Sequence, residues 1–239
     1  MITGKKFFVI SILTFLLMSI NAFATAIDLS TWSSPDSNGN WVVSSDHTSV
    51  TQTRNDSPTI FLSDTEYSNT VFNGRFTAPN NWDNDFIGFV FGYQSSTDYL
   101  LFDWKQGYQS YAEEGFTLSK ITGSNLNFWT HTGDDIDVLA TKYGSDQGWS
   151  DGQTYEFTLE YTTNSIEIII DGAEIFNVTG NFSSGKFGFY NYSQEDVTYQ
   201  GFDQQAAPVP EPATFLLFGL GFVGVAGIGK IRFKKKSSK

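Results

Sequence analysis

Asn80-Asn81-Trp82-Asp83-Asn84-Asp85 crowds side-chain oxygens into one polar stretch just before an apolar run. Calcium takes about six to eight oxygen ligands, with carboxylates supplemented by carbonyls, amides and water. Asp103 lies on the following apolar segment and can approach the same end of a sheet. Its strand face also carries Tyr99 and Leu101, unusual neighbours for a free carboxylate. One expectation is therefore a calcium site built from Asp83, Asp85 and Asp103, joined by the Asn84 side chain. The alternative is that Asp83 and Asp85 only make turns and that Asp103 sits on a solvated edge. A second acidic patch, Gly133-Asp134-Asp135-Ile136-Asp137, lacks the continuation of an EF-hand loop and reads as a surface loop. Tyr190-Asn191-Tyr192-Ser193-Gln194-Glu195-Asp196 is another stretch rich in oxygens and aromatic rings, but nothing in it fixes a particular ligand.

Catalysis finds little support. There is no cysteine, and the two histidines, His47 and His131, lie far apart in the chain. No Gly-x-Ser-x-Gly elbow and no His-Glu-x-x-His zinc motif occurs. A glycoside hydrolase needs two carboxylates facing each other across a cleft. Glu167 and Glu174 lie on adjoining predicted strands, but edge positions account for them, and Glu113-Glu114 reads as a loop pair. The expected protein is not an enzyme.

Charge is unevenly placed. All 26 acidic residues fall between positions 25 and 211, whereas Lys5, Lys6 and the six basic residues after Gly229 lie outside that stretch. Six basic side chains remain there against 26 acidic ones, a formal charge of −20. Nucleic acid needs the opposite sign and is excluded as a partner. Divalent cations or a basic partner suit the charge, and so does plain solubility.

The elements that position these residues read as strands. Phe86 to Tyr93 alternates, with Ile87, Phe89, Phe91 and Tyr93 on one face and Phe86, Gly88, Val90 and Gly92 on the other. Tyr99 to Trp104 follows a polar turn. Leu100, Phe102 and Trp104 point one way, and Tyr99, Leu101 and Asp103 the other. Thr154 to Tyr161 and Ile166 to Ile170 flank Thr162-Thr163-Asn164-Ser165 as a hairpin, and Asp171-Gly172 turns into a further strand. Gly185 to Asn191 and Asp196 to Phe202 complete the set. Many short strands between turn signals predict an all-β sandwich or jelly roll in one domain, residues 25–205.

Both ends read as addresses. Lys5 and Lys6, the apolar stretch Phe7 to Ile20 and Asn21-Ala22-Phe23-Ala24 form a secretory signal peptide, residues 1–24, with cleavage expected between Ala24 and Thr25. Residues 206–212 are a linker ending in Pro210-Glu211-Pro212. The uncharged run from Ala213 to Gly229 follows, then Lys230-Ile231-Arg232-Phe233-Lys234-Lys235-Lys236. At about 1.5 Å per residue that run spans roughly 26 Å, close to a hydrocarbon core of about 30 Å. Residues 213–239 are thus expected to be a single transmembrane helix with a basic cytoplasmic end. The Pro-Glu-Pro tripeptide, the apolar span and the basic terminus together resemble the PEP-CTERM sorting signal of Gram-negative bacteria that make exopolysaccharide. The resemblance implies recognition by the membrane protease exosortase. It also implies passage from a precursor anchored in the inner membrane to the cell surface or extracellular matrix.

Asp85-Phe86-Ile87-Gly88-Phe89-Val90-Phe91-Gly92-Tyr93-Gln94, with Phe102-Asp103-Trp104-Lys105-Gln106, resembles the C-terminal lectin-like domain of thrombospondins. Trp129-Thr130-His131-Thr132-Gly133, Gly148-Trp149 and Gly188-Phe189-Tyr190-Asn191-Tyr192-Ser193-Gln194-Glu195 continue the likeness in order. It implies a concanavalin A-like jelly roll that binds calcium and acts in adhesion and matrix contacts. The cysteine of the animal domain is missing here. The expected function is a non-catalytic, calcium-binding adhesion or matrix-binding protein that contacts extracellular polysaccharide or a surface protein. The alternatives are a passive structural matrix protein without a specific ligand and a glycan-active hydrolase.

Overall fold

The computed structural model describes residues 26–206. The expected signal peptide with its Ala24–Thr25 cleavage point, the Pro210-Glu211-Pro212 motif and the apolar tail lie outside the described residues. In chain order the strands are β1 (Trp41–Val43), β2 (Ser49–Gln52), β3 (Thr59–Tyr67), β4 (Thr70–Thr77) and β5 (Phe86–Ser95). Next come β6 (Asp98–Lys105), β7 (Gly115–Ile121), β8 (Leu126–Asn127), β9 (Thr132–Gly133) and β10 (Ile136–Tyr143). The last are β11 (Thr154–Tyr161), β12 (Ser165–Ile170), β13 (Ala173–Thr179), β14 (Gly185–Tyr192) and β15 (Val197–Ala206).

Two antiparallel sheets stack as a sandwich. One has seven strands in the order β1-β2-β15-β4-β11-β12-β13, and the other six in the order β10-β7-β6-β5-β14-β3. Period-2 alternation decides what lies between them. Phe72 and Phe76 of β4, Phe157 and Leu159 of β11, and Ile166, Ile168 and Ile170 of β12 meet Ile87, Phe89 and Phe91 of β5 and Leu100, Phe102 and Trp104 of β6. Phe89 stacks on Phe102 of its own sheet at 4.7 Å and on Phe157 of the other at 4.8 Å between ring centres. Such ring pairs add about 0.5–1.5 kcal/mol each beyond their buried area.

The outer face of the seven-stranded sheet is polar, with Arg75 bridging Glu156 and paired threonines such as Thr51 and Thr198. The outer face of the six-stranded sheet is not. Ile60, Leu62, Phe86, Val90, Tyr93, Tyr99, Leu101 and Tyr190 form a second buried cluster there, covered by Leu126, Phe128 and Trp129. These covering residues belong to an excursion between β7 and β10 that contains the two-stranded β8-β9 ribbon. The central strands are therefore buried on both faces.

One expected face assignment changes. Tyr93 joins Phe86 and Val90 in the outer cluster, not Phe91 in the inner one. A register shift between Phe91 and Ser95 accompanies Gly92 at φ +57°, and the irregularity reverses which way the following side chain points.

Candidate functional site

At one end of the six-stranded sheet, β5 begins while β6 and β14 end, since Phe86 pairs with both Lys105 and Tyr192. The loops that converge there are residues 53–58, 78–85, 106–114 and 193–196. Asn55 Nδ2 donates to Asp83 Oδ2 at 2.6 Å, Gln194 Oε1 accepts from the Asp85 amide at 2.9 Å, and Ser193 N donates to Asp56 O at 2.8 Å.

Lys105 organises this end. Its ammonium has no exposed side-chain surface and meets Asp85 Oδ1 at 2.8 Å and the Asn84 carbonyl at 2.9 Å. Gln109 Oε1 accepts a longer bond at 3.4 Å. The rings of Phe86 and Trp129 flank the ammonium at 5.1 and 4.8 Å from their centres, within cation–π range. Burial pulls the Lys105 ammonium below its ordinary range, while Asp85 and then Asp83 favour its charge. Sequence reasoning missed this residue. The available signal was a lysine closing an otherwise buried run, because a buried ammonium requires a partner.

The calcium set expected from sequence is only partly brought together. Asp83 and Asp85 are close enough to interact directly. Burial, then the Asp85 charge, with Glu195 adding to it, push the Asp83 carboxyl up to about 6. Asn84 lies between them, with its carbonyl on Lys105. Asp85 already faces the Lys105 ammonium, so an amine stands where a metal ion would share its charge. Asp103 belongs to a different cluster. It is buried, neither on a solvated edge nor beside Asp85, and its Oδ2 pairs with His131 Nε2 at 2.8 Å. Among the described residues no three His, Asp or Glu side chains converge on one metal position. A calcium ion here would have to draw most of its oxygens from Asp83, from the Asn84 side chain, from backbone carbonyls and from water. Asp134 and Asp135 sit in the expected surface turn, where Asn125 donates to both, at 2.9 and 2.7 Å.

Around the acidic pair the loops hold aromatic rings out into solvent. Trp82 is 93% exposed at the apex of a turn in which Asn81 Oδ1 accepts from the Asp83 amide at 3.1 Å. Tyr111 is 81% exposed at the tip of a tight turn in which Gln109 and Ala112 exchange both backbone hydrogen bonds. Ser110 and Tyr111 both have positive φ, +49° and +71°, the geometry of a type I′ turn. Tyr108 beside it is 60% exposed. Lys105 reaches both loops, through Asn84 and Gln109, and Trp129 Nε1 donates to the Gln109 carbonyl at 3.1 Å. The protruding rings thus stand on anchored turns.

Solved structures with the same sandwich include a carbohydrate binding module, CBM66 of Bacillus subtilis. Its TM-score is 0.52 at 15% identity, covering 73% of this chain and 95% of that one. The exoplasmic/lumenal domain of VIP36 in a Ca2+/Man-bound form has a TM-score of 0.55 at 10% identity, covering 76% and 85%. These likenesses concern the fold. In sequence, thrombospondin-2 of Gallus gallus is 29% identical over 187 residues, 67% of this chain and 16% of that protein. Cartilage oligomeric matrix protein of Bos taurus is 28% identical over 187 residues, 67% and 24% respectively. The chain therefore spans less than a quarter of the length of either relative. Residues 208–230 match the PEP-CTERM protein-sorting motif, which marks an exported protein sorted to the cell surface. Residues 36–207 match the thrombospondin C-terminal region, and the chain belongs to that family.

Proposed function

We propose that the chain is a non-catalytic, calcium-assisted adhesion or matrix-binding protein, processed by exosortase and acting at the cell surface or in the exopolysaccharide matrix. The observation that carries this reading is the ring of exposed aromatics, Trp82, Tyr108 and Tyr111, held on anchored turns around the Asp83–Asp85 pair. Large apolar rings kept in water at this cost in exposure mark a contact surface. Flat aromatic rings beside oxygen-rich loops suit the mixed apolar and hydroxylated faces of sugars. The calcium-and-mannose form of VIP36 and the carbohydrate-binding role in the name of CBM66 lend support by analogy of fold. Calcium would be held by Asp83 and the Asn84 side chain, with Asp85 shared with Lys105, while Asp103 is engaged by His131 and takes no part.

The test is binding of the full chain to the producer's own exopolysaccharide, with and without a calcium chelator. Saturable binding that the chelator weakens, and that Trp82→Ala lowers about tenfold, is expected. Binding that never saturates, or is absent in both conditions, defeats the reading and leaves a passive matrix component.

A further inference from the structure

Strand β10 forms one edge of the six-stranded sheet. It bonds β7 on one side only, which leaves its other row of backbone N–H and C=O groups unpaired in the sheet. Such a row is a template for a further strand. Val138 is 38% exposed on it and Tyr143 39%. One exposed charge of each sign, Asp137 and Lys142, stands between them and the strand ends. The other sheet edges differ. β1 has three residues and no charge, β3 carries only acidic charge in Asp64 and Glu66, and β13 carries only Glu174. A second copy laid on β3 or β13 would bring acid to acid.

The few cations of the body point to the same edge. Arg54, Arg75 and Lys105 are engaged by Asp56, Glu156 and Asp85. Lys120, Lys142 and Lys186 form no ion pair among the described residues. Lys142 lies on β10, and Lys120 of β7 sits opposite Asp137. Two of the three uncommitted cations therefore gather where two acidic bodies could meet with least repulsion.

The bulge in β10 sets a register. The pairing with β7 shifts between Val138 and Ala140, so Leu139 is the extra residue. Ile136 packs on the outer cluster, whereas Leu139 and Ala140 both pack on the inner core. Ile136 and Val138 thus share the outer face with Thr141 and Tyr143, and Asp137 shares the inner face with Lys142. About a twofold axis between Leu139 and Ala140, an antiparallel copy sets Ile136 opposite Tyr143, Asp137 opposite Lys142 and Val138 opposite Thr141. Every pair then points to one face, and the Asp137–Lys142 pair occurs twice. Without the bulge the same alignment would turn the two charges to opposite faces.

We propose that β10 is an interface between two copies of this chain, paired antiparallel with Asp137 of each copy opposite Lys142 of the other, so that the six-stranded sheet continues across the twofold axis. Such a dimer carries two sets of Trp82, Tyr108 and Tyr111, and two linked sites hold a repeating polymer more tightly than one.

The experiment follows the full chain in a nonionic detergent by sedimentation velocity over a concentration series. Salt is held at about 0.1 M, where the screening length is about 10 Å and contact pairs persist. The wild type should form a dimer. Lys142→Asp makes both charges of the edge acidic, and Asp137→Lys makes both basic. Each variant alone sets like charges opposite each other twice and should raise the dimer Kd about a hundredfold. Both positions are exposed, so both variants should melt near the wild-type temperature. Mixed in equal amounts, the two variants should associate with each other, because every acid at the seam then meets a base. A wild type that stays monomeric overturns the proposal. A dimer that Lys142→Asp leaves intact also overturns it, by placing the contact elsewhere on the chain, as does failure of the two variants to pair when mixed.

Discussion

Lys105 has given up all contact with water for one carboxylate, one strong carbonyl bond and two aromatic faces. Removing one partner of such a pair strands the other as a buried charge, which costs about 3–5 kcal/mol. Lys105→Met should therefore destabilise by about that amount in urea unfolding. The double variant Asp85→Asn/Lys105→Met should lose less than the single one, because no charge is left stranded; an additive loss would show that the two do not act as a pair. The titrating groups nearby give the fold a direction in pH. Asp83 titrates near 3.8 when unfolded and at about 6 when folded, so the folded state holds that proton more tightly. Stability from this group then declines as pH rises from about 4 to 6, and its cost is fully present above that. At His131 burial pulls the imidazole down, but the charge and hydrogen bond of Asp103 outweigh it and leave it raised above 6.5. Its contribution is complete below 6.5 and is lost as pH climbs through the raised value. The two act in the same sense, so the melting temperature should fall from pH 4 to pH 8. Asp83→Asn should flatten the acidic part of that slope and His131→Gln the part above 6.5, whereas melting that improves toward pH 8 would contradict both assignments.

The strands were largely legible because alternation is a local signal. The faces of β6 and the β11–β12 hairpin with its Asp171-Gly172 turn all follow from residues a few positions apart. What sequence reading lacked depends on distant pairings. Asp103 meets a histidine 28 positions on, and Asp85 a lysine 20 positions on, so neither carboxylate revealed that it was already engaged. The excursion carrying Phe128 and Trp129 has no period to reveal which sheet it covers, and so the second buried face stayed hidden. The sheet it covers imposes a test of its own. Gly88 sits in the row between Asp103 of β6 and Tyr190 of β14. A Cβ there would run into the Phe102 carbonyl oxygen and the Asp103 Cα, backbone atoms that cannot rotate away. Overpacking a core ordinarily costs about 1–3 kcal/mol, and relaxation of flexible side chains sets that range. Gly88→Ala should reach or exceed its upper end in equilibrium unfolding. A loss below about 1 kcal/mol would mean that β5 and β6 can separate without consequence.

At the scale of the whole molecule, charge is concentrated between positions 25 and 211, where six basic side chains face 26 acidic ones, and most of that repulsion is spread over the surface. Any salt should therefore help the folded state, since the screening length falls from about 30 Å at 0.01 M to about 10 Å at 0.1 M. This general effect would imitate a calcium site in a careless titration, because added calcium also raises ionic strength. The two separate when ionic strength is fixed with sodium chloride while calcium is varied and magnesium serves as control. A site that binds only the folded protein adds RT ln(1 + [L]/Kd), about 2.7 kcal/mol when calcium stands at 100 times its Kd. Oxygen-rich loops with several carbonyls and an amide suit the larger, more flexible shell of calcium over the tight octahedron of magnesium. The expected result is an upward shift in melting temperature for calcium alone. It should grow between pH 5 and pH 7, because the metal must displace the proton that Asp83 holds up to about 6. Asp83→Asn should remove both the shift and its pH dependence. Equal shifts for the two metals at constant ionic strength would assign the acidity to solubility and leave the aromatic turns to bind without a metal.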